Sequence, residues 1–385
     1  MIPRRRPLEP LERGRISRRT LLELLGVAFW TASGPSSAVA FSAFSAFSAS
    51  AGCASTPPHP PHPPHPPHRS ASSNAGAGRA AELWSFFDLP AADPRSRELS
   101  GIVWDARQSV LWAVHDASPD IIALVPDASL RTWSFGETIT IEGGEPVDLE
   151  GIALLPDGFV VCSEHGPRIL ELDRQGRFRR TLVVPSRFDD ARKNKGFESL
   201  TISPSGRYLF TTTEVALERD GPAPSHAAGT RVRILRIDLQ SDADAPIELA
   251  YETDALPHEH GDWGVSDLEA VSDTELLVLE RGWARGHGNS VRIYQTSLDD
   301  RARCDHIEQL SRDATVLSKT LLVDLAKLRA DGVPEPKQPQ PGPLLDNFEG
   351  LALGPRTRDD RPTLLLISDD NGHATQVARI VVLVL

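Results

Sequence analysis

The stretch DLEGIALLPDGFVVCSEHG, residues 148–166, decides how the chain reads. A short apolar run from Leu149 meets the turn Pro156-Asp157-Gly158, and a second, more apolar run ends at Glu164. Pro, Asp and Gly are the residues of tight hairpin connections. The unit recurs. FESLTISPSGRYLFTTTEV starts at Phe197 and turns at Pro204-Ser205-Gly206. DLEAVSDTELLVLERG starts at Asp267, and NFEGLALGPRTRDDRPTLLLISDDNG starts at Asn347. A degenerate copy, ELSGIVWDARQSVLWAVHDAS, starts at Glu98.

Two further strands usually follow each unit. After Glu164 come RILELD from Arg168 and FRRTLVVP from Phe178. After Glu214 come RVRILRIDL from Arg231 and IELAYET from Ile247. After Glu280 come SVRIYQTSL from Ser290 and KTLLVDL from Lys319. Four antiparallel strands per unit is the anatomy of a β-propeller blade. The last unit supplies only three strands before Leu385, while the orphan strand LWSFFDLP from Leu83 precedes the first. Pairing the two closes the ring and removes its exposed sheet edges. The expected fold is therefore all-β, a propeller of four-stranded antiparallel blades. Five repeats are recognised, and the loop lengths leave room for five or six blades. A two-sheet sandwich is the alternative. LLVDLAKLRA from Leu321 is the one stretch with helical periodicity.

The repeat places acids at two positions per unit. The first opens the innermost strand, at Glu150, Glu198, Glu269 and Glu349, with Ser100 in the degenerate copy. The second ends the neighbouring strand, at Asp116, Glu164, Glu214, Glu280 and Asp369. An antiparallel hairpin sets the start of one strand beside the end of the next, so these residues form a ring of carboxylates at one end. Crowded carboxylates have raised pKa values unless a cation joins them. Calcium suits such a set, since it takes six to eight oxygen ligands in flexible geometry. The expected metal ligands are Glu150, Glu198, Glu269, Glu349, Asp116 and Asp369. Any one of these acids also serves as a strand-end cap. Lys195, Arg281, His165 and Asn371 lie beside the same end as candidate binders of an anionic group. One of Glu164, Glu214 or Glu280 is the expected general base. The chain has no G-x-S-x-G elbow, H-E-x-x-H, G-x-x-x-x-G-K or C-x-x-C motif.

The first eighty residues are of another kind. Residues 1–52 hold seven arginines and three glutamates. Ser17-Arg18-Arg19-Thr20-Leu21-Leu22 matches a twin-arginine export signal, and the apolar run from Leu21 is too short to span a bilayer. Ala38-Val39-Ala40 offers an ordinary cleavage site, and Ser50-Ala51-Gly52-Cys53 a lipoprotein site with Cys53 as the lipidated residue. PPHPPHPPHPPH from Pro57 and a Ser/Ala/Gly stretch form a spacer over residues 53–80. The domain then runs over residues 81–385. Export places it in the periplasm or, lipid-anchored, on the cell envelope. The net charge of −12 becomes −16 without residues 1–52, which argues against nucleic acid as a partner. A monomer is expected, with a small anionic substrate or an envelope protein as partner, and membrane contact only through the lipid.

Several motifs together carry a resemblance. They are LSGIVWD near Ser100, DLEGIAL at Asp148, NKGFESLTISPSG from Asn194, LLVLERG ending at Gly282, NFEGLAL at Asn347 and LLLISDDNG near the end. The chain resembles the phytase-like family, named for esterase-like activity of phytase. The resemblance implies a propeller related to calcium-dependent phytases, which hold phosphate and activate water with several calcium ions at one end. It departs from a phosphate site in having few lysines: Lys193, Lys195, Lys319, Lys327 and Lys337 are all there are. Three readings are open. One is a calcium-dependent hydrolase of a phosphoester or related ester. A second is a non-catalytic envelope propeller that binds a ligand or protein. A third is a calcium-dependent lactonase-like enzyme.

Overall fold

The computed structural model describes residues 81–145, 148–241 and 244–385. The expected export signal, Cys53 and the expected spacer lie outside these residues. Twenty strands form five four-stranded antiparallel sheets. Blade 1 is β2 (Leu99–Asp105), β3 (Val110–His115), β4 (Asp120–Pro126) and β5 (Trp133–Thr140). Blade 2 is β6 (Leu149–Leu155), β7 (Gly158–Ser163), β8 (Arg168–Asp173) and β9 (Phe178–Thr181). Blade 3 is β10 (Thr201–Ile202), β11 (Tyr208–Thr211), β12 (Arg231–Asp238) and β13 (Ile247–Glu252). Blade 4 is β14 (Gly264–Ala270), β15 (Glu275–Ala284), β16 (Gly288–Ser297) and β17 (Lys319–Asp324). Blade 5 is β18 (Asn347–Leu353), β19 (Thr363–Asp369) and β20 (Arg379–Val384), completed by β1 (Glu82–Asp88) on its outer edge.

The first strands pack side by side, β2 to β6, β6 to β10, β10 to β14, β14 to β18 and β18 back to β2, so the ring closes at five blades. The stretch with helical periodicity is β17 followed by one 3₁₀ turn, Leu325–Lys327, which the Asp324 side chain caps by accepting from the Ala326 N–H.

Period-two patterning explains the packing. Phe159 and Val161 of β7 face Trp112 and Val114 of blade 1, while Val160 and Cys162 face Leu209 and Leu235 of blade 3. In β15, Leu276 and Val278 join blade 3, while Leu277 and Leu279 join blade 5. Successive side chains of a strand point to opposite faces, and here each face meets another blade. That is why the second strands read as nearly unbroken apolar runs. Cys162 and Cys304 are both buried, each in a separate apolar cluster.

β1 runs antiparallel to β20, from Glu82 opposite Val384 to Asp88 opposite Arg379. Arg379 clamps the closure, with Nε 2.5 Å from Asp88 Oδ1 and Nη1 donating to the Pro343 carbonyl at 2.8 Å. Val384 also pairs with Thr363, the first residue of β19. The chain therefore enters the propeller at the face opposite the one where Glu164, Glu214 and Asp369 end their strands.

A chain truncated to begin at residue 89 bares the β20 edge and the apolar cluster under Trp84 and Phe87. It is expected to elute as oligomers in size-exclusion chromatography and to lose a cooperative thermal transition. A monomer with unchanged melting would show that β1 does not close the ring.

Candidate functional site

Strand register aims the acids. Leu149 pairs with Ser163 and Gly151 with Cys162, so Glu150 is the extra residue of a β-bulge. Phe348 pairs with Ser368 and Gly350 with Ile367, which makes Glu349 the equivalent bulge. In blade 3 the bridge Phe197 to Thr213 puts Glu198 at the same place, and blade 1 puts Ser100 there. A bulge re-aims a side chain and strengthens local twist. The second acids are fixed by their backbones. The Glu164 N–H donates to the Asp148 carbonyl at 2.9 Å, Glu214 to Gly196 at 3.3 Å and Asp116 to Glu98 at 2.9 Å.

Glycine lets the blades close on these acids. A Cβ on Gly196 would lie 2.1 Å from the Glu164 carbonyl oxygen. A Cβ on Gly264 would lie 2.5 Å from Glu214 Cγ. Blade 3 thus presses on the Glu164 backbone and blade 4 on Glu214.

The acids gather in two groups. One ligand oxygen each from Glu164, Glu198 and Glu214 fall within 4.8 Å of one another, and all three residues are buried. Asp116, Asp148 and Glu150 make the second group by the same measure. The Ser100 hydroxyl donates to Glu150 at 2.7 Å. Asn347 Nδ2 and Arg281 Nη2 donate to Glu349 Oε1 at 2.7 and 2.6 Å. Lys195 Nζ lies 2.9 and 2.8 Å from the two oxygens of Glu214.

Blade 4 breaks the expected pattern and corrects two residues. Val265 pairs with Glu280 and Asp267 with Leu279, so Ser266 occupies the bulge. Glu269 lies three residues further along β14, where it accepts from the Thr201 hydroxyl at 2.7 Å. Arg281, not Glu280, takes the place of Glu164 and Glu214. Glu280 points between blades 3 and 4 and accepts from Tyr251 Oη (2.6 Å), the Asp254 N–H (2.7 Å), Trp263 Nε1 (2.8 Å) and Lys319 Nζ (2.5 Å). A carboxylate with four donors is committed to holding those blades together, so Glu280 does not stand in the ring as a base. A shift of one residue turns a side chain to the other face of a strand, and the adjacent Glu280 and Arg281 hid that shift.

The flanking groups divide as well. Lys195 and Arg281 reach the carboxylates, whereas His165 is exposed on the rim. Asn371 serves through its backbone, its N–H donating to Asp369 Oδ1 at 2.8 Å, while its side chain donates to Gln376. Sequence reasoning missed Asp148, Asn347 and the position of Arg281. Asp148 opens the DLEG motif with φ +57° and was the one of these with a visible signal.

Residues 94–372 match the sequence profile of the phytase-like family, described as esterase-like activity of phytase. The chain belongs to the phytase-like family. A secreted, uncharacterized protein of the fungus Arthroderma benhamiae is 24% identical over 210 residues, covering 45% of this chain and 39% of that protein. This chain thus spans well under half of that relative. Among solved structures, an endo-arabinase of Bacteroides thetaiotaomicron is similar with TM-score 0.43 and 12% identity, covering 77% of this chain and 96% of that one. A periplasmic gluconolactonase of Pseudomonas aeruginosa has TM-score 0.31 and 12% identity, covering 74% and 85%.

Electrostatics of this phytase-like propeller reflect the crowding. Burial pushes the Glu164 carboxyl up to about 8; contact with Glu198 works against the rise, and the charges of Glu150, Asp148 and Glu214 add to it. Burial pushes Glu214 up to about 7 although Lys195 and Arg281 pull it down. Asp369 is held well above the carboxylate range by burial, then by Glu349, Asp116 and Asp370. Burial would lower Lys195, but Glu214 and Asp262 outweigh it and hold the ammonium charged.

Packing and charge can each be tested. Gly264→Ala is expected to cost about 1–3 kcal/mol in denaturant unfolding through overpacking against Glu214. Gly342→Ala meets nothing closer than 4.0 Å and serves as the neutral control. Equal stability of the two variants would contradict the close approach. Protonation gives the second test. A carboxyl raised in the folded state binds its proton more tightly there than when unfolded. Its contribution is complete below the unfolded value of 4.5 and is lost as pH rises toward about 8 for Glu164 and about 7 for Glu214. In chelator, the melting temperature is expected to fall from pH 5 to pH 8.5, and Glu164→Gln is expected to flatten the slope. A rise over that window in wild type would contradict it.

Proposed function

We propose that the acidic end is a metal-dependent hydrolytic site for a phosphoester or related ester. The buried triad of Glu164, Glu198 and Glu214 carries this reading. Neither oxygen of Glu164 has a lysine, arginine or backbone N–H partner among the described residues. The donor set is carboxylate throughout, which fits a hard cation such as calcium. Acids also outnumber cations here: Lys195 and Arg281 are set against both carboxylate groups together with Glu349 and Asp369.

Glu164, Glu198 and Glu214 would hold one cation, and Asp116, Asp148 and Glu150 a second. A bound cation neutralises anionic oxygens and lowers the pKa of a water. The protein's own residues do the rest. Lys195 fixes the Glu214 carboxylate through both oxygens. Without the cation, burial pushes the Glu164 carboxyl up to about 8, so a cation held there would displace its proton. Arg281 holds Glu349 and keeps part of its guanidinium for an anionic group. The non-catalytic reading draws support from a different observation. Ser100, Lys195, Asn347 and Arg281 already satisfy several of the acids within the protein.

Calcium titration followed by thermal unfolding tests the metal. A ligand that binds only the native state raises the melting temperature, by about 2.7 kcal/mol of stability at a hundredfold excess over its Kd. Glu198→Gln is expected to remove most of that gain and any activity on a panel of phosphomonoesters and lactones. No shift at millimolar calcium would sink the metal. Full activity in Glu198→Gln would sink the site, and calcium stabilisation without turnover would favour the non-catalytic reading.

A further inference from the structure

Between blades 4 and 5, above the carboxylates, lies a set of buried donors that no acid uses. Arg281 spends Nη2 on Glu349, while its Nε and Nη1 are buried without a hydrogen-bond partner among the described residues. Across the hairpin Arg281 pairs with Val291, and Trp283 pairs with Asn289. Arg281 and Asn289 therefore share one face as diagonal neighbours, within reach of long side chains. Asn289 is 1% exposed, and both ends of its amide are without a partner among the described residues. Gln340 closes over it, accepting from the Asn289 backbone N–H at 2.6 Å, while its own Nε2 is buried and unpartnered among the described residues. Gly288 makes this closure possible. A Cβ there would lie 2.2 Å from the Pro339 carbonyl oxygen and 2.3 Å from Gln340 Oε1.

Counting donors and acceptors shows what the pocket suits. Nε of Arg281 offers one N–H, and Nη1, Asn289 Nδ2 and Gln340 Nε2 offer two each, against the single acceptor Asn289 Oδ1. Turning the Asn289 amide over exchanges its ends and leaves that balance as it is. Water corrects it only by handing the surplus on to solvent. A water molecule accepts two hydrogen bonds but brings two donors of its own, so each added water passes the surplus on. A species that accepts without donating removes it. Buried donors left unmade are costly, and more so when charged.

We propose that Arg281, Asn289 and Gln340 form an oxyanion pocket for a phosphate or carboxylate group, beside the carboxylate cluster. This rests on the cation of the proposed hydrolytic site, which would offset the repulsion from Glu349 and Glu214. The pocket supplies the anion-binding side of the site that lysine-poor composition leaves unfilled, using amides in place of ammonium groups. The segment of Gln340 is partly exposed, which provides the way in.

Calorimetric titration of the full chain tests it, with inorganic phosphate and with acetate, each in calcium and in chelator. Phosphate or acetate is expected to bind wild type, and which of the two binds names the group. Asn289→Leu and Gln340→Leu are each expected to weaken that binding by about tenfold or more, the worth of one hydrogen bond to a charged group. Calcium binding should be unchanged in both. Gln340→Leu lies on a partly exposed loop and serves if Asn289→Leu fails to fold. If neither anion binds in either condition, or if both variants bind as wild type does, the pocket is overturned. Calcium binding without anion binding overturns the pocket alone. Anion binding that both variants weaken but that needs no calcium upholds the donor set and overturns its dependence on the cation, and the metal reading with it.

Discussion

Carboxylates held out of water against one another are the constraint on which this structure turns. Each buried charge carries a desolvation cost, and each like neighbour adds to it. The ring answers differently around its circumference. Ser100 donates to Glu150, Lys195 pairs with Glu214, and Arg281 and Asn347 hold Glu349. Glu164 has no such cation among the described residues, and burial pushes its carboxyl up to about 8. One position in five carries the opposite charge. Arg281 stands where blades 2 and 3 have glutamate, and blades 1 and 5 have aspartate. That substitution keeps the end from being uniformly acidic and sets the N–H groups of Arg281 between blade 4 and Glu349 of blade 5.

The scaffold is suited to hold such a cluster. Each blade buries both faces of its second strand against two neighbours, so the acids at the strand ends cannot spread without opening an apolar core. β-Bulges turn Glu150 and Glu349 inward, and Gly196 and Gly264 admit backbone where any side chain would collide. The same tightness sets Glu280 apart. It is among the most thoroughly bonded acids of the chain, yet its donors come from three elements of blades 3 and 4 and the loops beside them. Its task is to join blades. Strain at Asp148, whose φ of +57° is unfavourable for a side chain, is accepted where the backbone must deliver both its own carboxylate and the carbonyl that receives Glu164.

Much of this was legible in the sequence. Alternation of apolar residues and the turns Pro156-Asp157-Gly158 and Pro204-Ser205-Gly206 mark hairpins by local chemistry alone, and the recurrence of the hairpin marks blades. The closing strand followed from a count of strands in the last unit. The acids of blades 1, 2, 3 and 5 followed from the repeat, because those units keep the motif in the same register around the bulge. Blade 4 does not. DLEA at Asp267 copies the letters of DLEG at Asp148 but sits in another register, and β15 is longer than its counterparts.

The five-repeat blade pattern, its closure and the presence of acids at strand ends are therefore written in the chain itself. They depend on period two and on turn residues, which act over a few positions. Which acids meet is settled only when the blades pack. Glu164 and Glu198 come from different blades, Arg281 reaches Glu349 across 68 positions, and Asn289 meets Gln340 across 51. Those meetings depend on bulges and on the angle between blades. A bulge adds one residue and reverses the face of every residue after it in the strand, and no local pattern in this chain records where it falls.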